Sequence, residues 1–217
     1  MKLFLASDAK HPDSIEKLRS FIGGFEGKSI AYIPTAANGE EEYGSWKTET
    51  ASWKLVNTLG ASVTAVVLEE YKNSKVVDML KGKDIIWFAG GACGYLMYWI
   101  RRCEIDKHIT KLLESGSIYV GSSAGSMVCS RTLNIAENYI GEVEYGASAI
   151  PGLGLIDFDI YPHYEDKLLP EIKQVWKGGE LYLLKNGEVV TVVDKKVDIL
   201  GEKRVLKDGK LVQSRGQ

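Results

Sequence analysis

The sequence predicts an α/β fold: a mostly parallel sheet flanked by helices, with antiparallel β-hairpins at its C-terminal end. Three observations predict it. Short apolar, β-rich runs alternate with amphipathic helical stretches, glycine-rich turns follow two of those runs, and the tail changes to paired strands around Asn186-Gly187 and Asp208-Gly209. A chain of 217 residues can bury a substantial core and suits one α/β domain, 1–217, better than two small ones.

The predicted strands, in order, are Leu3 to Ala6, Ile30 to Ile33, Val63 to Leu68, Ile85 to Phe88, Ile118 to Val120 and Phe158 to Tyr161. Helices are expected between them. Ser14 to Phe21 carries Ile15, Leu18 and Phe21 at helical spacing, and Lys47 to Leu59 and Cys103 to Leu113 have the same apolar stripe. Glu180 to Val193 reads as two strands around Asn186-Gly187, and Lys203 to Val212 repeats the device. No internal repeat or Pro/Gly/Ser linker divides the chain.

Composition narrows the functional class. With a net charge of −2 and charges spread along the chain, there is no basic surplus to neutralise phosphates, so nucleic acid is not an expected partner. The apolar run in Met1 to Asp8 is too short for a signal-peptide core, and no stretch approaches the roughly 20 apolar residues of a membrane span. The expected location is the cytoplasm. Cys93, Cys103 and Cys129 lack C-x-x-C spacing, so neither a disulfide framework nor a zinc site is indicated.

The chemistry concentrates in Ile118 to Ser126, where a strand breaks into Gly121-Ser122-Ser123-Ala124-Gly125 and continues as a helix. Gly-x-Ser-x-Gly in this context reads as a nucleophile elbow, with glycines where backbones approach closely and Ser123 pushed outward. Taken alone, the motif equally describes a structural or phosphate-binding turn. Ser122 and Ser126 read as hydrogen-bonding neighbours.

A serine needs a base within hydrogen-bond reach, and the chain offers three histidines. His11 falls in a polar loop and His108 within a charged helix, where solvated surface positions explain both. His163 ends the predicted strand Phe158 to His163, and ligands of open parallel sheets bind beyond such strand ends. Glu137, Glu142, Glu144, Asp157 and Asp159 are the acids that follow Ser123 and precede His163. Glu137 is the chosen orienting group, one helix and a turn beyond the serine. A second glycine cluster, Ala89-Gly90-Gly91-Ala92, follows the strand Ile85 to Phe88. Its Gly91 N–H and the Ala124 N–H are candidate oxyanion donors, and Gly90 and Ala92 join them as candidate substrate-binding residues.

Tyr32-Ile33-Pro34-Thr35-Ala36, Phe88-Ala89-Gly90-Gly91, Gly121 to Gly125 and Tyr161-Pro162-His163, in that order, resemble the peptidase E or aspartyl dipeptidase family of serine peptidases over nearly the whole chain, a resemblance that implies a fold similar to that of class I glutamine amidotransferases. The resemblance implies Ser123 as nucleophile, His163 as general base, and the Gly91 and Ala124 amides as oxyanion donors. It also implies hydrolysis of a short peptide or related small amide through an acyl-enzyme, with no metal and no cofactor.

Two departures bear on specificity and on the third catalytic group. Ala92-Cys93 stand where the family usually has Asn-Thr. After Pro162-His163 come Lys173 and Lys177 but no arginine to clamp an aspartate side chain. The family's acid is expected near Asn138, which leaves Glu137 as its substitute or Asn138 as a neutral one. Other readings are a non-peptide esterase or amidase on the same scaffold and a catalytically silent small-molecule binder. Tyr43, Trp46 and Trp53, with Tyr95 to Trp99, offer aromatic surface for a homodimer, or form core and pocket wall.

Overall fold

Side chains alternate along the central strands, and both sets are buried, which is the signature of a sheet covered on each face. The structure is a computed structural model that describes residues 1–40, 45–47 and 49–214. β1 (Lys2–Ala6), β2 (Ser29–Ile33), β3 (Ser62–Ala65), β4 (Ile85–Phe88) and β5 (Ile118–Ser122) run parallel. Leu3, Leu5, Ile33, Ile86 and Phe88 enter one core, while Phe4, Ile30, Tyr32, Ile85 and Trp87 enter the other.

The first core is covered by helices Cys93–Arg102 and Ile105–Glu114, through Leu96, Met97, Ile100, Ile109 and Leu113. The second is covered by helix Pro12–Ile22, through Ile15, Leu18 and Ile22. That helix has proline in its first turn, a His11 side chain accepting from the Asp13 N–H, and Gly23 in the left-handed conformation at its end. His11 is therefore a helix cap.

The C-terminal half departs from expectation in two places. β6 (Asp159–Tyr161) and β7 (Leu181–Leu183) pair in parallel, but in a second sheet. β8 (Val189–Val193) lies antiparallel beside β1 and β9 (Lys196–Leu200) beside β8, giving the order β3-β2-β4-β5-β1-β8-β9. With β8 beside β1, that place is closed to the run at 158–161, which pairs with β7 instead. Asn186-Gly187 is accordingly not a hairpin, because the strands flanking it enter different sheets. Val189 to Val192 is buried on both faces, and an interior place beside β1 satisfies that pattern.

β10 (Lys203–Lys207) and β11 (Lys210–Ser214) do form the expected hairpin, with Asp208 and Gly209 both at positive φ, and complete the sheet β11-β10-β7-β6. Smaller shifts are local. The strand from Val63 stops at Ala65, Leu68 opens a short helix, and the helix expected from Lys47 spans Ala51–Val56.

The aromatic set also differs from its surface reading. Trp46 is buried, 4.9 Å from Trp53 and 6.5 Å from Tyr32 between ring centroids, and so belongs to the second core. Tyr43 lies outside the described residues. In the other stretch Leu96 and Met97 are core, whereas Tyr95 and Tyr98 are exposed. The three cysteines are buried free thiols. Among the described residues, no helix is long and apolar enough to cross a membrane.

One buried carboxyl makes stability depend on pH. Asp159 has an Oδ1 without a hydrogen-bond partner, and burial pushes its pKa up to about 6. Because the folded value lies above the unfolded one, the contribution to stability is full below the unfolded pKa and is lost as pH rises through about 6. Asp159→Asn should therefore gain on the wild type by about 2 kcal/mol between pH 4 and pH 8, measured by urea unfolding at both. A difference that does not change with pH contradicts this.

Candidate active site

A sheet whose strands run parallel gathers its functional loops at their carboxyl ends, and here two adjacent strands send their helices to opposite faces. β1 leads to helix Pro12–Ile22 on one face, and β5 leads to the single turn Ala124–Met127 on the other. The elbow sits at this switch point. Ser123 has φ 48° and ψ −111°, outside the regions open to most side chains. Its N–H donates to the Ala6 carbonyl at 3.1 Å, so the β1–β5 ladder extends into the turn.

The flanking glycines have steric causes. A Cβ on Gly125 would lie 2.3 Å from the Phe88 carbonyl oxygen, and one on Gly121 would lie 2.6 Å from the Gly125 carbonyl oxygen. The neighbouring serines are structural. Ser122 Oγ accepts from the Ala9 N–H at 3.0 Å, and Ser126 Oγ donates to the Ala6 carbonyl at 2.8 Å.

The structure brings His163 to Ser123: Nε2 lies 3.1 Å from Oγ. His163 is itself at φ 52°, and its N–H donates to Ser7 Oγ at 2.8 Å. Behind the ring, Nδ1 lies 2.7 Å from Asn186 Oδ1. An amide oxygen only accepts, so Nδ1 carries the proton and Nε2 presents its lone pair to the serine hydroxyl.

Asn186 takes the place expected for Glu137 or Asn138. Glu137 Oε2 accepts from the Ser148 N–H, and Asn138 Nδ2 donates to the Asn134 carbonyl. Neither is bonded to His163. The residue that meets the ring lies 23 residues beyond His163, outside the acids between Ser123 and His163, and is an amide. The signal for it was the Asn186-Gly187 turn itself, which lies on the same edge of the sheet.

The double-glycine turn packs on the elbow: a Cβ on Gly90 would be 3.3 Å from the Ser123 Cβ. Gly91 has φ 135°, and a Cβ there would lie 2.2 Å from the Ala36 carbonyl oxygen. Neither the Gly91 nor the Ala124 N–H donates a backbone hydrogen bond among the described residues. Ala92 is buried and caps the following helix without a side-chain bond.

Two cavities meet at Gly91, Ser123 and His163. One, of about 410 Å³, is walled by Tyr32, Thr50, Asp8 and Glu49; the other, of about 380 Å³, by Tyr139, Tyr161 and Glu142. Asp8 is paired with Lys10 at 2.8 Å. Among the described residues, no arginine lines either cavity, and Lys173 and Lys177 are exposed and line neither. His108 borders a separate cleft with Lys83 and Ser117, at the amino ends of β4 and β5.

Fold and edge together define a class, a doubly covered α/β sheet presenting a serine elbow at the carboxyl ends of its strands. The chain belongs to peptidase family S51, a model of which matches residues 3–200. It is 28% identical over 206 residues to an uncharacterized peptidase of Listeria monocytogenes, covering 90% of this chain and 96% of that one. A protein named peptidase E from a Nostoc species is 23% identical over 203 residues, with coverages of 88% and 79%.

Among solved structures, a candidate peptidase E protein from Listeria monocytogenes superposes with a TM-score of 0.74 at 23% identity, covering 91% of this chain and 96% of that one. A peptidase from an acI-B1 actinobacterium gives 0.71 at 20% identity, with coverages of 99% and 93%. These likenesses establish the fold.

The glycine at 91 is the tightest steric constraint in the double-glycine turn. Gly91→Ala should lower unfolding stability by at least about 2 kcal/mol, because the side chain meets the Ala36 carbonyl and forces an unfavourable positive φ. A wild-type urea midpoint for this variant contradicts the packing described.

Proposed function

We propose that this peptidase is of the serine type and cleaves short peptides or related small amides through an acyl-enzyme. The observation that carries the reading is Ser123 Oγ at 3.1 Å from His163 Nε2, on a strained elbow beside two backbone N–H groups that donate no backbone hydrogen bond among the described residues.

In the proposed reaction His163 Nε2 takes the Ser123 proton as Oγ bonds to the substrate carbonyl carbon. The carbonyl electron pair moves to oxygen, which the Gly91 and Ala124 N–H groups receive. When the tetrahedral intermediate collapses, the C–N bond breaks and the amine leaves with the proton held on Nε2. Water then attacks the acyl ester with His163 again as base, and Ser123 is restored.

Asn186 holds the tautomer but brings no negative charge to the imidazolium that forms. The two cavities on either side of Ser123 fit an acyl portion and a leaving group of modest size. Among the described residues no arginine lines either cavity, and the lysines that do, Lys10 and Lys167, are paired with Asp8 and Glu165, which argues against selective binding of an acidic side chain and favours, as a second reading, a neutral non-peptide ester or amide on the same machinery.

Ser123→Ala should abolish covalent labelling by a fluorophosphonate probe while leaving the circular dichroism spectrum unchanged. Labelling that persists sinks the assignment. Asn186→Ala should lower kcat about 10- to 100-fold with a smaller change in KM, whereas Asn186→Asp, which keeps an acceptor and adds charge, should match or exceed the wild type. Steady-state kinetics on a dipeptide and acyl-ester panel would read this. An Asn186→Ala enzyme with wild-type kcat removes Asn186 from the mechanism.

A further inference from the structure

The first turn of an α-helix leaves N–H groups that need acceptors, normally from the side chain at its N-cap. Helix Cys93–Arg102 begins after Ala92, whose methyl group accepts nothing. Its Cys93 and Gly94 N–H groups donate instead to Glu144, to Oε1 at 2.7 Å and Oε2 at 2.6 Å. Both carboxylate oxygens are thus committed to consecutive amides in short, charge-assisted bonds. A Cβ on Gly94 would lie 2.9 Å from Oε2, so glycine leaves the room this approach needs.

These amides continue directly from the oxyanion turn. Ala92 N–H donates to the Ala36 carbonyl at 3.0 Å, which fixes the turn from behind, and Glu144 fixes it from ahead. The direction of the Gly91 N–H depends on both anchors. At the other end of the same segment, the Tyr139 hydroxyl donates to the Pro162 carbonyl at 2.9 Å, and its ring stacks on Tyr161 with centroids 4.6 Å apart. Residues 139–144 thus run from the chain that delivers His163 to the loop that presents Gly91. Burial raises the Glu144 carboxyl above its ordinary value, which fits a group held inside this contact.

We infer that Glu144 is a positioning residue for the oxyanion donor, and that residues 139–144 form a strap coupling the oxyanion turn to the base-bearing segment. Glu144 touches no reacting atom. This inference rests on the serine-peptidase reading, in which the Gly91 N–H receives the developing oxyanion.

The test compares wild type, Glu144→Ala and Glu144→Gln in fluorophosphonate labelling kinetics, with folded fraction measured by circular dichroism at the same temperature. Amide hydrogen exchange is followed over residues 90–97. In folded Glu144→Ala the maximal labelling rate should fall about 10- to 100-fold while the half-saturating probe concentration changes little. Glu144→Gln, which keeps one acceptor oxygen, should lose only a few fold. Exchange at Cys93 and Gly94 should quicken in the alanine variant while Ile105–Glu114 stays unchanged.

A folded Glu144→Ala that labels at the wild-type rate overturns the inference, as does a loss that only tracks a reduced folded fraction. If alanine prevents folding, the glutamine variant decides: a rate reduced a few fold supports positioning, and an unchanged rate overturns it. If the wild type itself resists labelling at Ser123, the serine reading fails instead. Hydrogen exchange then decides whether Glu144 anchors the turn, and unchanged exchange at Cys93 and Gly94 refutes it.

Discussion

A serine at φ 48° and ψ −111° costs of order 1–3 kcal/mol relative to relaxed backbone, so its surroundings must hold it there. Bonds from four directions do so. The Ser123 N–H reaches Ala6, Ser126 Oγ reaches the same carbonyl, the Ser126 and Met127 N–H groups return to the Ser123 carbonyl, and the Tyr119 hydroxyl donates to the Gly125 carbonyl at 2.6 Å. Each partner lies on β1, on β5 or in the turn itself. The register of β1 against β5 sets both bonds to the Ala6 carbonyl, and a slip by one residue would break the pair that ties the elbow to β1.

His163 arrives from the other sheet by a second set of bonds. Tyr164 N–H donates to the Leu184 carbonyl and Leu184 N–H to the Tyr161 carbonyl, joining the ends of β6 and β7 on either side of His163. Ser7, just beyond β1, accepts from the His163 N–H and donates to the Leu184 carbonyl at 3.0 Å. The turn carrying Asn186 is braced by Glu188, whose Oε2 accepts from the Lys185 N–H and from the buried guanidinium of Arg204 on β10. The second sheet, apparently remote from the serine, thus fixes the group behind the histidine.

Much of this was legible in the sequence because its causes are local. The strand at Ile85 to Phe88 appears with its predicted bounds, the strands at Leu3, Ile30 and Ile118 appear with small extensions, and the elbow glycines mark close backbone approaches that only glycine permits. What could not be read was set by competition for sheet edges. Whether the run at Phe158 or the run at Val189 takes the place beside β1 depends on which buries its pattern better, a choice no local window contains. Asn186 escaped for a related reason. Its position comes from the crossing of two sheets, and its chemistry, an acceptor oxygen without charge, is invisible to a search for acids. Glu144 was visible as an acid, but its use as a remote helix cap follows only from the path of residues 139–144.

The central claim is that the elbow, the histidine and two backbone amides act on one carbonyl group. A crystal structure of the protein after reaction with a fluorophosphonate tests it most directly. The account predicts phosphorus bonded to Ser123 Oγ, its phosphoryl oxygen about 3 Å from both the Gly91 and Ala124 nitrogens, and His163 still seated on Asn186. An adduct on another residue, or a phosphoryl oxygen turned away from both amides, would contradict it.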